Sequence, residues 1–144
     1  MQKARVILCE KNGTWAVALR RELSLWAIRV YETRSHGQCL EEAALSPHSF
    51  IAVEVMLDSV ESSHRFVARL RGEFPSSSVV ILGTPDTEPY EFALREAGAI
   101  FATFSPRRLS NVATLAHRHL TSVAESASSI RDSVFENLPW GETY

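Results

Sequence analysis

The chain has 144 residues, enough for one domain with a full core. It is 45% hydrophobic and 22% charged, with a formal net charge of -2. That balance gives no strong field for nucleic acid or an anionic membrane surface, and no apolar run is long enough to span a bilayer.

Met1-Gln2-Lys3-Ala4-Arg5 leads straight into an apolar run and lacks the apolar stretch of a signal peptide, so a cytoplasmic protein is expected. Five short apolar runs follow in order: Val6 to Cys9, Ile28 to Tyr31, Phe50 to Leu57, Val79 to Leu82 and Ile100 to Phe104. Their length and their Val, Ile and Phe content suit strands. Three are nearly continuous rather than alternating, which implies burial on both faces and a parallel sheet covered by helices.

Helical patterns fill the gaps. Thr14 is placed to cap a helix carrying Trp15, Leu19, Leu23 and Trp26. A second helix carries Cys39, Leu40, Ala43 and Ala44 and stops near Ser46-Pro47. A third carries Phe66, Val67, Leu70 and Phe74, and Pro75 ends it. A fourth runs from about Glu88 to Ala97 and closes at Gly98. The last carries Leu109, Val112, Leu115, Ala116, Leu120 and Val123. The alternation predicts an α/β fold, a doubly wound five-stranded parallel sheet in a three-layer sandwich.

Residues 1–123 are read as the domain and 124–144 as a tail. Glu125-Ser126-Ala127-Ser128-Ser129 is a polar break, after which Ile130, Val134, Phe135 and Leu138 recur at helical spacing until Pro139-Trp140-Gly141. A short helix is expected there. Phe135, Leu138 and Trp140 are large apolar groups that should dock on the domain, on a second copy or on a partner.

Glu54 is the informative residue. It stands alone in the third apolar run, where a carboxylate is costly unless paired, neutralised or placed at the strand's open end. In open α/β sheets chemistry lies outside the carboxyl ends of the strands.

The ordered set of segments resembles the receiver domain of bacterial response regulators, over residues 1–123. Arg5-Val6-Ile7-Leu8-Cys9-Glu10 is similar to that family's first strand and its acidic pair. Val53-Glu54-Val55-Met56-Leu57 is similar to the end of strand three. Arg69-Leu70-Arg71-Gly72-Glu73-Phe74-Pro75, then Val79-Val80-Ile81-Leu82, resembles the end of helix three and strand four. Gly98-Ala99 and Ser105-Pro106 have the spacing of the family's Gly-Ala and Lys-Pro. The resemblance implies a (βα)5, flavodoxin-like fold and a phosphoacceptor pocket: two acidic residues for Mg²⁺, an aspartate acceptor, a hydroxyl and a lysine.

Against that pattern nearly every position departs. The acidic pair is Glu10-Lys11, and the acceptor position holds Glu54. The hydroxyl position falls on Gly83, with Thr84 one residue away. The lysine is Ser105, the aromatic position of strand five is Ala102, and Pro106 is retained. The changes share an electrostatic sense, because Lys11 brings a cation into what would be the metal site. An ion pair of Lys11 with Glu54 or Glu10 is therefore expected in place of Mg²⁺. Glu54 is read either as a phosphomimic or as a capped carboxylate at a strand end.

The expected function is signal transduction by protein–protein contact without phosphorylation, with no cofactor. The resemblance places the partner surface on helix four, strand five and helix five, with Tyr90, Glu91, Arg95, Arg107 and Arg108 as candidates. The partner would be another signalling protein or a second copy, with neither nucleic acid nor membrane. Two alternatives stand beside this. One is an atypical phosphoreceiver of a phosphorelay, using Glu54 or a neighbouring Asp with Glu10, Thr84 and Mg²⁺. The other is a small flavodoxin-like ligand-binding or enzyme module. Catalytic motifs are missing, since Glu10-Lys11-Asn12-Gly13-Thr14 is neither a dinucleotide loop nor a Walker loop. Asp58 is read as a loop or capping residue. His117 and His119, two residues apart on a helix, do not share a face for a metal and are expected on the surface.

Overall fold

The computed structural model describes residues 3–136, with side chains described through Arg131. Five strands alternate with five helices: β1 (Val6–Cys9), α1 (Thr14–Leu23), β2 (Val30–Thr33), α2 (His36–Leu45), β3 (Phe50–Glu54), α3 (Val60–Glu73), β4 (Ser78–Leu82), α4 (Glu91–Ala97), β5 (Phe101–Thr103) and α5 (Leu109–Glu136). The sheet is parallel throughout, in the order β2-β1-β3-β4-β5. The order reverses at β1, so β1 and β3 flank the switch-point crevice at their carboxyl ends.

Strand alternation divides the core in two. Val6, Leu8, Phe50, Ala52, Val80 and Leu82 point to the α1 and α5 side, where Leu19, Leu23, Leu109, Val112 and Ala116 meet them. Ile7, Cys9, Ile51, Val53, Val79 and Ile81 point to the α2–α4 side, against Cys39, Phe66, Val67, Leu70 and Leu94. Both faces are buried, which is why these strands read as continuous apolar runs. Cys9 and Cys39 are buried free thiols of the second core. The neighbouring Cys9 thiol raises the Cys39 thiol, and burial adds to it.

Several boundaries differ from the sequence reading. Strand β3 ends at Glu54 rather than Leu57, and β5 spans only Phe101–Thr103. Strand β2 begins at Val30 rather than Ile28, because a 3-10 turn at Ser24–Trp26 and Ala27 in the left-handed region delay it. Trp26 therefore lies outside α1. A 3-10 turn over Pro85–Tyr90 precedes α4, which starts at Glu91. The expected polar break in the tail is absent: α5 is one helix of 28 residues through Glu136. The stretch has no Gly or Pro, and serines cost a helix only tenths of a kcal/mol each. Phe135 belongs to this helix, and Leu138 and Trp140 lie outside the described residues.

His119 is not a simple surface histidine. It is half-buried on α5, its Nδ1 is 2.9 Å from the Ser78 hydroxyl and its Nε2 is 2.7 Å from the His48 carbonyl oxygen. The neutral ring serves both contacts, donating to His48 and accepting from Ser78, and so pins α5 to the amino end of the sheet. Burial holds its pKa below the ordinary histidine value, against the pull of the bond to His48. His36, stacked on Phe66 with centroids 4.1 Å apart, is lowered too, by burial and then by the charge of Lys11. A lowered folded pKa means that the unfolded chain protonates first as pH falls. Stability is then complete above the unfolded value of about 6.5 and declines as pH drops from there through the folded values. The urea midpoint should therefore fall between about pH 7 and pH 5.5. His119→Gln should flatten part of that slope; a midpoint that rises on acidification would contradict this.

Candidate functional site

The site expected from the sequence lies at the carboxyl ends of β1, β3, β4 and β5, and each member has a specific local cause. Glu10 follows β1 and is only 2% exposed. Its Oε1 accepts the Trp15 N–H at 2.9 Å and its Oε2 accepts the Ala16 N–H at 2.7 Å. The carboxylate thus satisfies two free donors of the first turn of α1 and meets the positive end of its dipole. Thr14 is not the cap: it is the first helical residue, preceded by Gly13 at φ 80° with no side-chain cap. That left-handed residue turns the loop so that Glu10 can reach over the helix end.

The expected Lys11 ion pair does not form. The backbone N–H of Lys11, not its ammonium, donates to Glu54 Oε1 at 3.3 Å, and Lys11 itself is exposed. Among the described residues no ion pair joins Lys11 to Glu54 or Glu10. Glu54 ends β3 half-buried, so solvent and this single N–H serve its charge without a cation. Asp58 sits exposed in a 3-10 turn, Leu57–Ser59, before α3.

Gly83, at the hydroxyl position, is closed by its neighbours. A Cβ there would come within 2.8 Å of the Phe104 ring and closer still to the Thr87 hydroxyl. Thr87 is fully buried; it accepts the Thr84 N–H at 3.0 Å and donates to the Thr84 carbonyl at 2.8 Å. Thr84 caps the 3-10 turn, and its hydroxyl donates to Asp86. Ser105 is likewise a cap: its hydroxyl accepts the Arg107 N–H at 3.3 Å, and Pro106 opens the turn that feeds α5. The sequence reading did not place Phe104 or Thr87 against Gly83. The signal was Gly83 itself, since a glycine at a strand end often marks a close approach.

These donors do not suit Mg²⁺. Both Glu10 oxygens are engaged by helix N–H groups, and one Glu54 oxygen accepts from Lys11. Among the described residues no three His, Cys, Asp or Glu side chains gather at one place.

The candidate partner residues lie elsewhere: Glu91 and Arg95 on α4, Tyr90 at the end of the 3-10 turn before it, and Arg107 and Arg108 in the 3-10 turn, Pro106–Arg108, before α5. Glu91 and Arg95 form an i,i+4 pair at 2.8 Å; Arg95 also donates to the Ile100 carbonyl at 3.2 Å. Arg95 thus braces α4 against β5. Arg107 and Arg108 are exposed. The structure adds two apolar residues that the sequence reading did not single out. Phe92 is 73% exposed, and Ile100 is exposed, as is Tyr90.

No protein-family model matches this chain, and no curated protein does. Solved structures do. A CheY-like protein, TadZ, from Pseudomonas aeruginosa PAO1 is 18% identical, with 82% of this chain and 94% of that chain covered and a TM-score of 0.67. An atypical orphan response regulator described as having a phosphorylation-independent regulatory mechanism is 19% identical, covering 81% and 95%, with a TM-score of 0.66. A protein from Rhodopirellula baltica described as an adenylate cyclase is 16% identical and covers 95% and 100%, with a TM-score of 0.68. At these identities the likeness speaks for the backbone. The five-stranded parallel sheet, its strand order and these neighbours together give the chain the fold of the CheY-like response-regulator receiver domains.

Proposed function

We propose that this chain is a receiver-like signalling module that acts by protein–protein contact, without a phosphorylation step, a cofactor or catalysis of its own. The observation that carries this reading is Glu10. A carboxylate that would help hold the metal is buried, with both oxygens bound to α1. The filled space at Gly83 supports it, as does the absence of a cation at Ser105. One structural neighbour is itself described as regulated without phosphorylation.

The partner is another signalling protein or a second copy of this chain in the cytoplasm. The contact surface is α4, β5 and the start of α5, with Tyr90, Phe92, Arg95, Ile100, Arg107 and Arg108. Exposed aromatic and arginine side chains are the residue types that dominate interface energies. Glu54 is on this reading an inert carboxylate at a strand end. Tyr90→Ala with Phe92→Ala should weaken capture of the partner, or self-association, at least about tenfold. The thermal midpoint should stay nearly unchanged, because both side chains are exposed. Undiminished capture and self-association would refute this placement.

A further inference from the structure

Beyond Leu120, α5 leaves the domain. From Thr121 to Arg131 only Val123 is half-buried, and Ile130 is 66% exposed. Yet the apolar stripe does not stop at the domain edge. Leu109, Ala113 and Ala116 are buried in the core, and Leu120, Val123, Ala127 and Ile130 continue the same seam at spacings of three and four. A protruding helix of this length is marginal in water unless its apolar face is covered.

Beside this stripe lies a groove of about 1090 Å³ at the amino end of the sheet, the end away from Glu54. Trp26, Ile28 and Tyr31 form one wall, and Leu120, Val123 and Ala127 form the other. The wall is built firmly. Trp26 stacks on His117 at 4.5 Å, and the Arg5 guanidinium lies 4.2 Å over the Tyr31 ring. The rim is basic: Lys3, Arg29 and Arg131 line it, with Glu125 as the one acidic lining residue. Among the described residues these three cations have no ion-pair partner.

We infer that the occupant is this chain's own segment 137–144, Asn137-Leu138-Pro139-Trp140-Gly141-Glu142-Thr143-Tyr144. Length fits. Eight residues reach at most about 26–29 Å, and the way back along the helix from Glu136 to Ala127 is about 14 Å, which leaves residues for the reversal. Asn137 followed by Pro139 is a helix-stop signal at the required point. The chemistry fits as well. Leu138, Trp140 and Tyr144 match an apolar cleft, and Glu142, the segment's one charged side chain, is opposite in sign to the rim. A tether this short gives a local concentration in the millimolar range, which favours the chain's own groove over another molecule's.

The test uses the full chain labelled with fluorotryptophan, which gives one fluorine resonance for each of its three tryptophans. Trp140 is assigned by Trp140→Phe. Its resonance should show little solvent isotope shift in the wild type, and should gain the shift of an exposed indole in Ala127→Glu. Residue 127 is exposed, so that substitution leaves the fold intact, as the unchanged Trp15 resonance would verify. A wild-type Trp140 with the full shift of an exposed indole would overturn the inference. So would protection that appears only as concentration rises, alongside dimer in sedimentation, because the segment would then dock on a second copy.

Discussion

Replacing Glu10 with alanine is expected to destabilise the domain by about 3 kcal/mol. The two N–H groups that Glu10 serves, on Trp15 and Ala16, belong to buried residues of α1. Each bond to a charged acceptor contributes roughly 1.5–3 kcal/mol, and an unsatisfied buried donor costs about 1–3. Water entering the space left by the side chain offsets part of that sum. Glu10→Gln keeps the shape but turns an amide donor towards a helix N–H, so it should recover only part of the loss. Urea unfolding of both variants measures this. A cost of under about 1 kcal/mol for alanine would mean that solvent caps α1 as well as Glu10 does. The carboxylate would then be free for other work.

Gly83→Thr is expected to cost a similar amount, about 3 kcal/mol, and for a steric reason. The backbone at Gly83 has no positive φ, so nothing there demands glycine by conformation. Space does, because a Cβ collides with the Thr87 hydroxyl and comes within 2.8 Å of the Phe104 ring. Thr87 cannot retreat without breaking its two bonds to Thr84. Phe104, half-buried at the core's edge, can be removed. Gly83→Thr combined with Phe104→Ala should therefore be less destabilised than the sum of the single variants, by about 1 kcal/mol or more. Additive costs would show that Phe104 does not fill this space. The pair shows why restoring the receiver's hydroxyl is not a one-residue change.

The fold was legible because its cause is written along the chain. Apolar runs such as Phe50–Val53 and Val79–Leu82, buried on both faces, admit few arrangements besides a covered parallel sheet. The tail was less legible. Ser and Ala between Glu125 and Ser129 look like a break by polarity, yet neither breaks a helix, and α5 runs on. The site positions were readable in order and spacing, but their work was not. Glu10 caps a helix from four residues before its first turn, which depends on the left-handed turn at Gly13. Lys11 offers its backbone rather than its ammonium to Glu54, a choice no spacing rule expresses. Phe104 looked like one more apolar residue of strand five, and only the packing sets its ring against Gly83. The exposure of Phe92 depends on where α4 begins, three residues later than the periodicity suggested.

The most direct test of a phosphorylation-independent receiver is intact mass after incubation with Mg²⁺ and a small acyl phosphate donor, for the wild type and for Glu54→Asp. Neither protein should gain a phosphoryl group. Changing the acceptor leaves Glu10 bound to α1, the space at Gly83 filled and no cation at Ser105. A donor-dependent phosphoryl adduct on the wild type, mapped to Glu54 or a neighbouring carboxylate, would contradict the account. An adduct on Glu54→Asp alone would show that the rest of the pocket still works, and it would contradict the roles assigned here to Glu10 and Gly83.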